Sequence, residues 1–253
     1  MRPKNLVGEP FYKLCEVDST NNYAMRQVQA QMAEHGATWF AQHQNAGKGQ
    51  RGKAWEAGFG ENIIMSCVLE PDFLVIDNQF LLNATVALAC FDFFNIYTNG
   101  DTSIKWPNDL YWKDRKAGGI LIENLVQGKE WRFAVAGIGI NINQTLFSAN
   151  LPNPVSLKEI TGKSFDVVVL AKQLCKCLNY RWEQLSNREH DILLQEYSAR
   201  LYKLGKTTAF KRNDEMFNAV ITGVNKLGEL LIDSGERSSL AYGSADWVVS
   251  QPK

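Results

Sequence analysis

Residues 47–53 read Gly-Lys-Gly-Gln-Arg-Gly-Lys, and this glycine-rich stretch is the sharpest signal in the sequence. It contains the G-x-G-x-x-G pattern of dinucleotide-binding folds, and it nearly matches the phosphate-binding loop G-x-x-x-x-G-K-[ST], but Ala54 replaces the Ser or Thr. Both of those loops must run directly into a helix, whose N-terminus binds the phosphates. Residues 55–60 are poor helix material, and the next strand is predicted to begin near Asn62, which leaves no room for a crossover helix. The sequence therefore argues against both nucleotide-binding folds.

Two interpretations of this stretch remain. In the first, it is a mobile basic loop whose backbone N–H groups close over an anionic ligand, together with Lys48, Arg51 and Lys53. Trp55 would then shield the ligand from water. In the second, it is a solvent-exposed loop with incidental basic residues.

A second motif, Lys105-Trp106-Pro107-Asn108-Asp109, follows a short predicted strand, and Lys116 stands shortly before two glycines that open another strand. If the chain turns back on itself between the two lysines, both ammonium groups face one pocket. Asp109 offers a carboxylate for magnesium, a hard cation that suits phosphate chemistry. Cations and a metal around phosphates are what nucleotidyl transfer requires. Ordinary surface lysines at a strand end are the alternative interpretation.

A third patch, residues 137–143, reads Gly-Ile-Gly-Ile-Asn-Ile-Asn. Glycines within a strand indicate close approach of a ligand or of another backbone, and Asn141 could then reach a ribose or a phosphate. A β-bulge is the alternative explanation.

The order of the elements predicts two domains, residues 1–204 and residues 205–253. In the first, strands alternate with helices, among them residues 19–35 (capped by Ser19 and Thr20), residues 78–97 and residues 167–185. After residue 205, short β-branched runs alternate with turn signals, a pattern typical of a small all-β barrel.

Composition excludes several functional classes. The 253 residues carry a formal net charge of zero, which gives no support to binding nucleic acid by bulk positive charge. The five cysteines have no framework spacing, and the N-terminus lacks an apolar signal, so we expect a cytoplasmic protein in a reducing compartment. Polar residues interrupt the apolar run of residues 80–97, which favours a buried core helix over a membrane span.

The N-terminal motifs resemble those of the biotin–protein ligases (biotin–[acetyl-CoA-carboxylase] ligases). Residues 18–21, Asp-Ser-Thr-Asn, are similar to the S-T-N biotin motif of that family. Gln44 stands where the family has a glutamine for the ureido ring. Residues 47–55 resemble its adenylate loop, G-[RK]-G-x-x-G-x-x-W.

The resemblance continues in order along most of the chain. Residues 105–109 match the K-W-P-N-D motif of the family, and Lys116 stands at the position of its essential lysine. Residues 137–141 resemble its G-x-G-x-N strand, and residues 155–157 resemble the segment that flanks the adenine. Residues 205–253 resemble its C-terminal SH3-like barrel. The loop and K-W-P-N-D together make the resemblance specific.

The resemblance implies an α+β fold of the class II synthetase-like type, in which helices pack on a mixed sheet and a small SH3-like barrel follows. It implies an enzyme that forms biotinyl-5′-AMP from biotin and Mg-ATP and then biotinylates a lysine of the biotin carboxyl carrier protein. The implied catalytic residues are Lys116 and Arg51. The implied biotin-binding residues are Ser19, Thr20, Asn21, Gln44, Lys48, Gly49, Gln50 and Gly119. The implied ATP-binding residues are Arg51, Lys53, Trp55, Lys105, Asn108 and Asn141, and Asp109 is the implied magnesium ligand.

The sequence departs from the family pattern in two places. Gln50 stands where the best-known loop of the family has an arginine, which bears on how well the intermediate is retained. No winged-helix region precedes the S-T-N motif, so we expect the short monofunctional type without nucleic-acid or membrane partners. Two alternatives are a lipoate–protein ligase, which should lack K-W-P-N-D, and a non-enzymatic biotin sensor, which needs a DNA-binding module. The sequence does not indicate the oligomeric state.

Overall fold

The computed structural model describes residues 5–248 and contains two β-sheets. The larger sheet has seven strands in the order β1-β2-β3-β7-β6-β5-β4. Its strands are β1 (Phe11–Val17), β2 (Thr38–Gln44), β3 (Ile63–Leu69), β4 (Thr102–Lys105), β5 (Asp109–Trp112), β6 (Arg115–Gln127) and β7 (Glu130–Ile140). The β1–β2 pair is parallel and every other pair is antiparallel. This is a mixed sheet, as the sequence predicted.

Helices cover both faces of this sheet. They are α1 (Thr20–Gln29), α2 (Gln79–Thr98), α3 (Leu157–Thr161), α4 (Val167–Ser186) and α5 (His190–Ala199). On one face, α2, α4 and α5 share an apolar core with the alternate residues Ile63, Met65 and Cys67 of β3. On the other face, α1 packs over Val68 and Val135. The sheet is therefore the middle layer of a three-layer α+β domain.

The apolar helix α2 lies inside the core. Among the described residues, only the stretch Ile76–Thr98, which consists of α2 and the turn before it, is long and apolar enough to span a membrane, and 72% of its apolar window is buried inside the protein. It packs against α4 and α5, which explains why it is apolar around its whole circumference. The prediction of a core helix at residues 78–97 is confirmed.

The second sheet has five antiparallel strands in the order β11-β10-β9-β8-β12. Its strands are β8 (Thr207–Arg212), β9 (Glu215–Val224), β10 (Leu230–Asp233), β11 (Arg237–Leu240) and β12 (Asp246–Trp247). Within the part of the chain that the structure describes, the edge strands β11 and β12 do not pair, so this sheet is open. The predicted closure into a barrel is not observed, and residues 249–253 of the predicted domain lie outside the described residues.

The small sheet shares its core with the large domain. Its buried residues Phe210, Ile221 and Leu230 belong to the same apolar cluster as α2 and α5. The backbone N–H of Gly205 donates to Ile221 O at 2.8 Å where the chain enters this sheet. The division at residue 204 stays a prediction.

Three local predictions were wrong or incomplete. The helix predicted over residues 19–35 ends at Gln29, because Gln31 adopts a left-handed φ of 58° and the chain turns towards β2. Met32, expected on the buried helix face, is 70% exposed. The strand β1 and the single-turn helix α3 were not predicted: β1 is largely exposed and shows no period of two, and α3 is too short to show periodicity.

Candidate active site

One cleft of about 620 Å³ lies on the face of the sheet that also carries α1. The residues implied to be catalytic or to bind biotin, ATP or magnesium all line this cleft, namely Ser19, Thr20, Asn21, Gln44, Lys48, Gly49, Gln50, Arg51, Lys53, Trp55, Lys105, Asn108, Asp109, Lys116, Gly119 and Asn141. Residues 155–157, which resemble the segment that flanks the adenine, are fully buried and do not line it. The structure thus brings the three sequence motifs and the S-T-N stretch to a single place.

Small residues on three adjacent strands make the floor of the cleft. Gly139 of β7 pairs with Ile64 of β3 on one side and with Gly119 of β6 on the other. Gly137 lies two residues earlier on the same face, opposite Ser66. Because these positions lack large side chains, the sheet face stays open beyond the end of α1.

The indole ring of Trp55 lies against this floor. A Cβ added to Gly139 would lie 2.4 Å from Trp55 Cε2, so only glycine fits beneath the ring. Trp55 Nε1 is buried and has no hydrogen-bond partner among the described residues. The ring was predicted as a lid, and the structure places it on the glycine floor of the cleft.

At one end of the cleft, the S-T-N stretch forms a polar corner. Gln44 Oε1 accepts hydrogen bonds from Thr20 N at 2.6 Å and from Thr20 Oγ1 at 3.0 Å. Ser19 occupies the N-cap position of α1, but its side chain makes no capping hydrogen bond, contrary to the expectation that Ser19 and Thr20 cap the helix. Gln44 therefore satisfies the first helical N–H, and its own NH₂ group lies close to Gly47.

The polar corner is held by two residues that the sequence analysis missed. Ser66 Oγ lies 2.7 Å from both Thr20 Oγ1 and Asn21 Oδ1, and Asn21 Nδ2 donates to Glu123 Oε2 at 2.8 Å. A Cβ on Gly137 would lie 2.1 Å from Asn21 Oδ1, which explains that glycine. Ser66 is the polar residue within the apolar run of β3, a signal that could have identified it.

The glycine-rich loop, defined here as residues 47–55, is a short hairpin. Trp55 N donates to Gly47 O at 2.9 Å, and Gly49 N donates to Lys53 O at 2.6 Å. A single 3-10 turn, Gln50–Gly52, forms its tip, with Arg51 at a φ of 55°. No crossover helix follows before β3, and β2 pairs directly with β3 in the antiparallel direction. The rejection of both nucleotide-binding folds is confirmed.

At the opposite end, the K-W-P-N-D motif and Lys116 lie side by side. Lys116 Nζ contacts Asp109 Oδ1 at 2.7 Å, because β5 and β6 are neighbours in the sheet. Lys105 Nζ lies 5.4 Å from the ring centroid of Tyr111. Burial lowers the pKa of Lys105, and the positive charges of Lys116 and Lys53 lower it further, while Asp109 raises it. This end of the cleft is positively charged and suited to an anion.

Two asparagines that were predicted to contact the nucleotide form hydrogen bonds within the protein instead. Asn108 Nδ2 donates to the carbonyl of Ile120, and Asn141 Nδ2 donates to Val155 O at 3.1 Å. Both asparagines are nearly fully buried. Their side chains therefore stabilise the backbone around the cleft. Direct contact with a nucleotide stays a prediction.

Asp109, the predicted magnesium ligand, is the carboxylate that lies beside Lys105 and Lys116 and is paired with Lys116. Within residues 5–248, no cluster of three or more His, Cys, Asp or Glu side chains could hold a metal ion. A single carboxylate fits magnesium that arrives with a nucleotide, since Mg²⁺ is usually bound by one or two carboxylates, water and substrate phosphates. The assignment of Asp109 stays a prediction.

Residues from the small sheet close the cleft, in a region where the sequence predicted only short strands and turns. Tyr242 donates a hydrogen bond to Gln50 Oε1, and Arg51 Nη1 lies 3.4 Å from Asp246 Oδ1. Lys105 Nζ also lies 5.7 Å from the ring centroid of Trp247.

The sequence matches the model of the Biotin/lipoate A/B protein ligase family over residues 14–141. It is 25% identical over 236 residues to the bifunctional ligase/repressor BirA of Bacillus spizizenii, a match that covers 91% of this chain and 71% of that protein. It is 26% identical over 227 residues to the biotin–[acetyl-CoA-carboxylase] ligase of Paracoccus denitrificans, covering 87% and 92% of the two chains.

A solved structure shares the fold. The biotin protein ligase from Aquifex aeolicus in complex with biotin and ATP superposes with a TM-score of 0.80 at 23% identity, covering 95% of this chain and 99% of the other. The family match spans half of the chain and includes the polar corner, the glycine-rich loop, the K-W-P-N-D motif and Lys116. This chain belongs to the Biotin/lipoate A/B protein ligase family.

Proposed function

We propose that this protein is an ATP-dependent biotin–protein ligase that forms biotinyl-5′-AMP and transfers biotin to a lysine of a biotin carboxyl carrier protein. One observation carries the proposal: a single cleft joins a buried corner of hydrogen-bonding groups to a cluster of cationic side chains. Such a cleft fits a ligand with a polar neutral head, an apolar middle and an anionic end.

The polar corner accounts for biotin as the substrate. Thr20, Asn21 and Gln44 present hydroxyl and amide groups that can pair with the N–H and C=O groups of a ureido ring. Ser19 lines the same corner, and Ile64 and Leu121 supply apolar walls along which the valerate chain would lie. Lys48, Gly49 and Gln50 of the glycine-rich loop, and Gly119 on the floor, would contact the carboxylate end.

The same corner distinguishes biotin from lipoate, the substrate of the other ligases in this family. A dithiolane ring has no strong hydrogen-bonding group, so a lipoyl head would give no partner to a polar group that it covers in this corner, such as the NH₂ group of Gln44. A buried unpaired polar group costs about 1–3 kcal/mol. The geometry therefore favours biotin.

In the first half-reaction, the biotin carboxylate attacks the α-phosphorus of ATP, the bond to the bridging oxygen breaks, and pyrophosphate leaves. Lys116 would exchange the carboxylate of Asp109 for the two reacting anions and so offset their repulsion. Arg51, Lys53 and Lys105 would bind the β- and γ-phosphates. Asp109 would hold a magnesium ion, which supplies further neutralisation of phosphate charge when bound.

In the second half-reaction, the neutral amine of the acceptor lysine attacks the mixed anhydride. An amide bond forms, the carboxyl–phosphate bond breaks, AMP leaves, and the amine loses its proton. Trp55, held on the glycine floor, would keep water from the anhydride until the acceptor arrives.

We further propose that residues 205–253 form a C-terminal domain of the SH3-like barrel type. The antiparallel meander β8-β9-β10-β11 and the return of β12 to the free edge of β8 support this assignment. We place the protein in the cytoplasm, where its substrates ATP and carrier protein would be available.

The test is biotin-dependent exchange of labelled pyrophosphate into ATP, with calorimetric titration of biotin and of lipoate. Exchange that depends on biotin excludes a non-enzymatic biotin sensor, and tighter binding of lipoate than of biotin would contradict the proposal.

A matched pair of variants tests the polar corner. Thr20→Val keeps the shape but removes the hydroxyl that bonds to Gln44, and we expect biotin binding to weaken by about 1–3 kcal/mol. Thr207→Val, at an exposed position of β8, should bind biotin like the unmodified protein. Equal affinities in all three proteins would show that this corner does not recognise biotin.

A further inference from the structure

The tip of the glycine-rich loop is held by a segment of the small sheet that lies far away in sequence. The Tyr242 hydroxyl donates a hydrogen bond to Gln50 Oε1, and the two residues are 192 positions apart. The guanidinium carbon of Arg51 lies 4.7 Å from the centroid of the Tyr242 ring. Arg51 also pairs with Asp246 at 3.4 Å. Two neighbouring residues of the loop tip therefore have partners in residues 242–246.

Tyr242 is itself supported from the other side of the cleft. Its ring meets the ring of Trp106 edge-on, with centroids 5.9 Å apart and planes at 72°. Trp106 in turn donates from Nε1 to Gly228 O at 2.8 Å. Gly243, next to Tyr242, has a φ of 89°, a left-handed conformation that favours glycine in this turn. The tyrosine is thus braced by the K-W-P-N-D motif before it reaches the loop.

The contacts that join the loop tip to residues 242–246 are individually weak. Tyr242 is 49% exposed, and the side chains of Arg51 and Asp246 are 45% and 76% exposed. Exposed ion pairs and single neutral hydrogen bonds stabilise a closed conformation only modestly. Such contacts suit a closure that must open in every catalytic cycle to admit substrates and the acceptor lysine.

We propose that Tyr242 is a positioning residue that latches the tip of the glycine-rich loop over the cleft through Gln50 and so prolongs retention of the acyl-adenylate. The inference rests on the proposed function and goes beyond it, because it assigns control of a reactive intermediate to a side chain of the C-terminal sheet. Glutamine at position 50 lacks the charge of arginine, and a tyrosine hydroxyl supplies the hydrogen bond that holds it.

The test is the dissociation rate of labelled biotinyl-adenylate from the full-length enzyme. Tyr242→Phe removes only the hydroxyl and keeps the ring that contacts Arg51 and Trp106. We expect about 3- to 10-fold faster release, the effect of one net hydrogen bond, and a matching rise in biotinylation of bystander lysines. First-turnover formation of the adenylate should change less than release. Tyr180→Phe, on the exposed surface of α4, is the control and should release the intermediate at the rate of the unmodified enzyme.

A double-mutant cycle separates the latch from a general effect on folding. If Tyr242 acts through Gln50, then Tyr242→Phe should have no further effect on release in a Gln50→Ala background. Additive effects, or unchanged release from Tyr242→Phe, would overturn the latch and leave the ligase function standing. Failure of the unmodified protein to form any adenylate would overturn the proposed function and the latch with it.

Discussion

Gly139→Ala should disable adenylate formation while leaving the fold intact. Gly139 lies in the middle of the cleft floor, where β7 runs between β3 and β6. The backbone at this position is an ordinary strand, so alanine adds no conformational strain of its own. The added methyl group would meet Trp55 at 2.4 Å from Cε2 and 2.6 Å from Cζ2.

The size of the effect follows from these distances. Two carbon atoms in contact prefer a separation of about 3.5–4.0 Å, so the indole must retreat by about 1 Å or more. The backbone N–H of Trp55 donates a hydrogen bond to Gly47 O. A retreat of the indole therefore displaces the base of the glycine-rich loop. A misplacement of about 1 Å in a catalytic group can cost about 100-fold in rate, and we expect a loss of this order. Overpacking a tight core lowers the free energy of unfolding by about 1–3 kcal/mol. Because Trp55 is only half-buried, we expect Gly139→Ala to lose an amount near the lower end of this range.

The assay is biotin-dependent ATP–pyrophosphate exchange, with the thermal midpoint as a check on folding. The matched control is Gly119→Ala, one strand away and directly paired with Gly139. There an added Cβ would lie 3.4 Å from both Trp55 Cζ3 and Asp109 Oδ1, which is ordinary contact, so its loss should be far smaller. Equal losses in the two variants, or full exchange activity in Gly139→Ala, would refute the steric reasoning.

Two further predictions concern the cationic end of the cleft. Lys116→Ala should lose about 10²–10³-fold in pyrophosphate exchange but retain more of its transfer activity when supplied with pre-made biotinyl-adenylate, because the lysine acts mainly where two anions meet; equal losses in both half-reactions would contradict this role. The pKa of Lys105 is lowered by burial and by neighbouring cations, and the negative charge of bound ATP should raise it again. ATP binding in alkaline solution should therefore take up protons, which calorimetry in buffers of different ionisation enthalpy detects. A binding enthalpy independent of the buffer, or proton uptake that persists in Lys105→Met, would contradict this assignment.

Runs of apolar residues that have the length of a helix or a strand predicted most of the fold. The helix α2 was predicted because residues 80–97 form a long and mainly apolar run, in which the few polar residues argue against a membrane span. The strand β1 was not predicted. It lies at the edge of the sheet and pairs only with β2, and its side chains do not alternate between buried and exposed. In such a strand, tertiary pairing outweighs local sequence preference.

The candidate site was predictable where its residues form short motifs. Lys105, Asp109 and Lys116 could be placed together because tight turns join the neighbouring strands β4, β5 and β6 that carry them. Tyr242 could not, because its partner Gln50 lies on another sheet and no spacing rule connects them. Asn108 and Asn141 show the opposite difficulty: the motifs identified them, but only the structure shows that their amides bind backbone carbonyls.

The long separation between Arg51 and Asp246, 195 positions along the chain, has a consequence for how the protein is made. A ribosome adds about 5–20 residues per second, so about 10–40 s pass between synthesis of the loop and synthesis of its partner. During this interval the nascent chain acquires Ser66 and Glu123 of the polar corner and the lysines of the cationic end, while the loop tip lacks its partners Tyr242 and Asp246. Maturation of the cleft is therefore a late event, completed only after the last strand of the small sheet has left the ribosome.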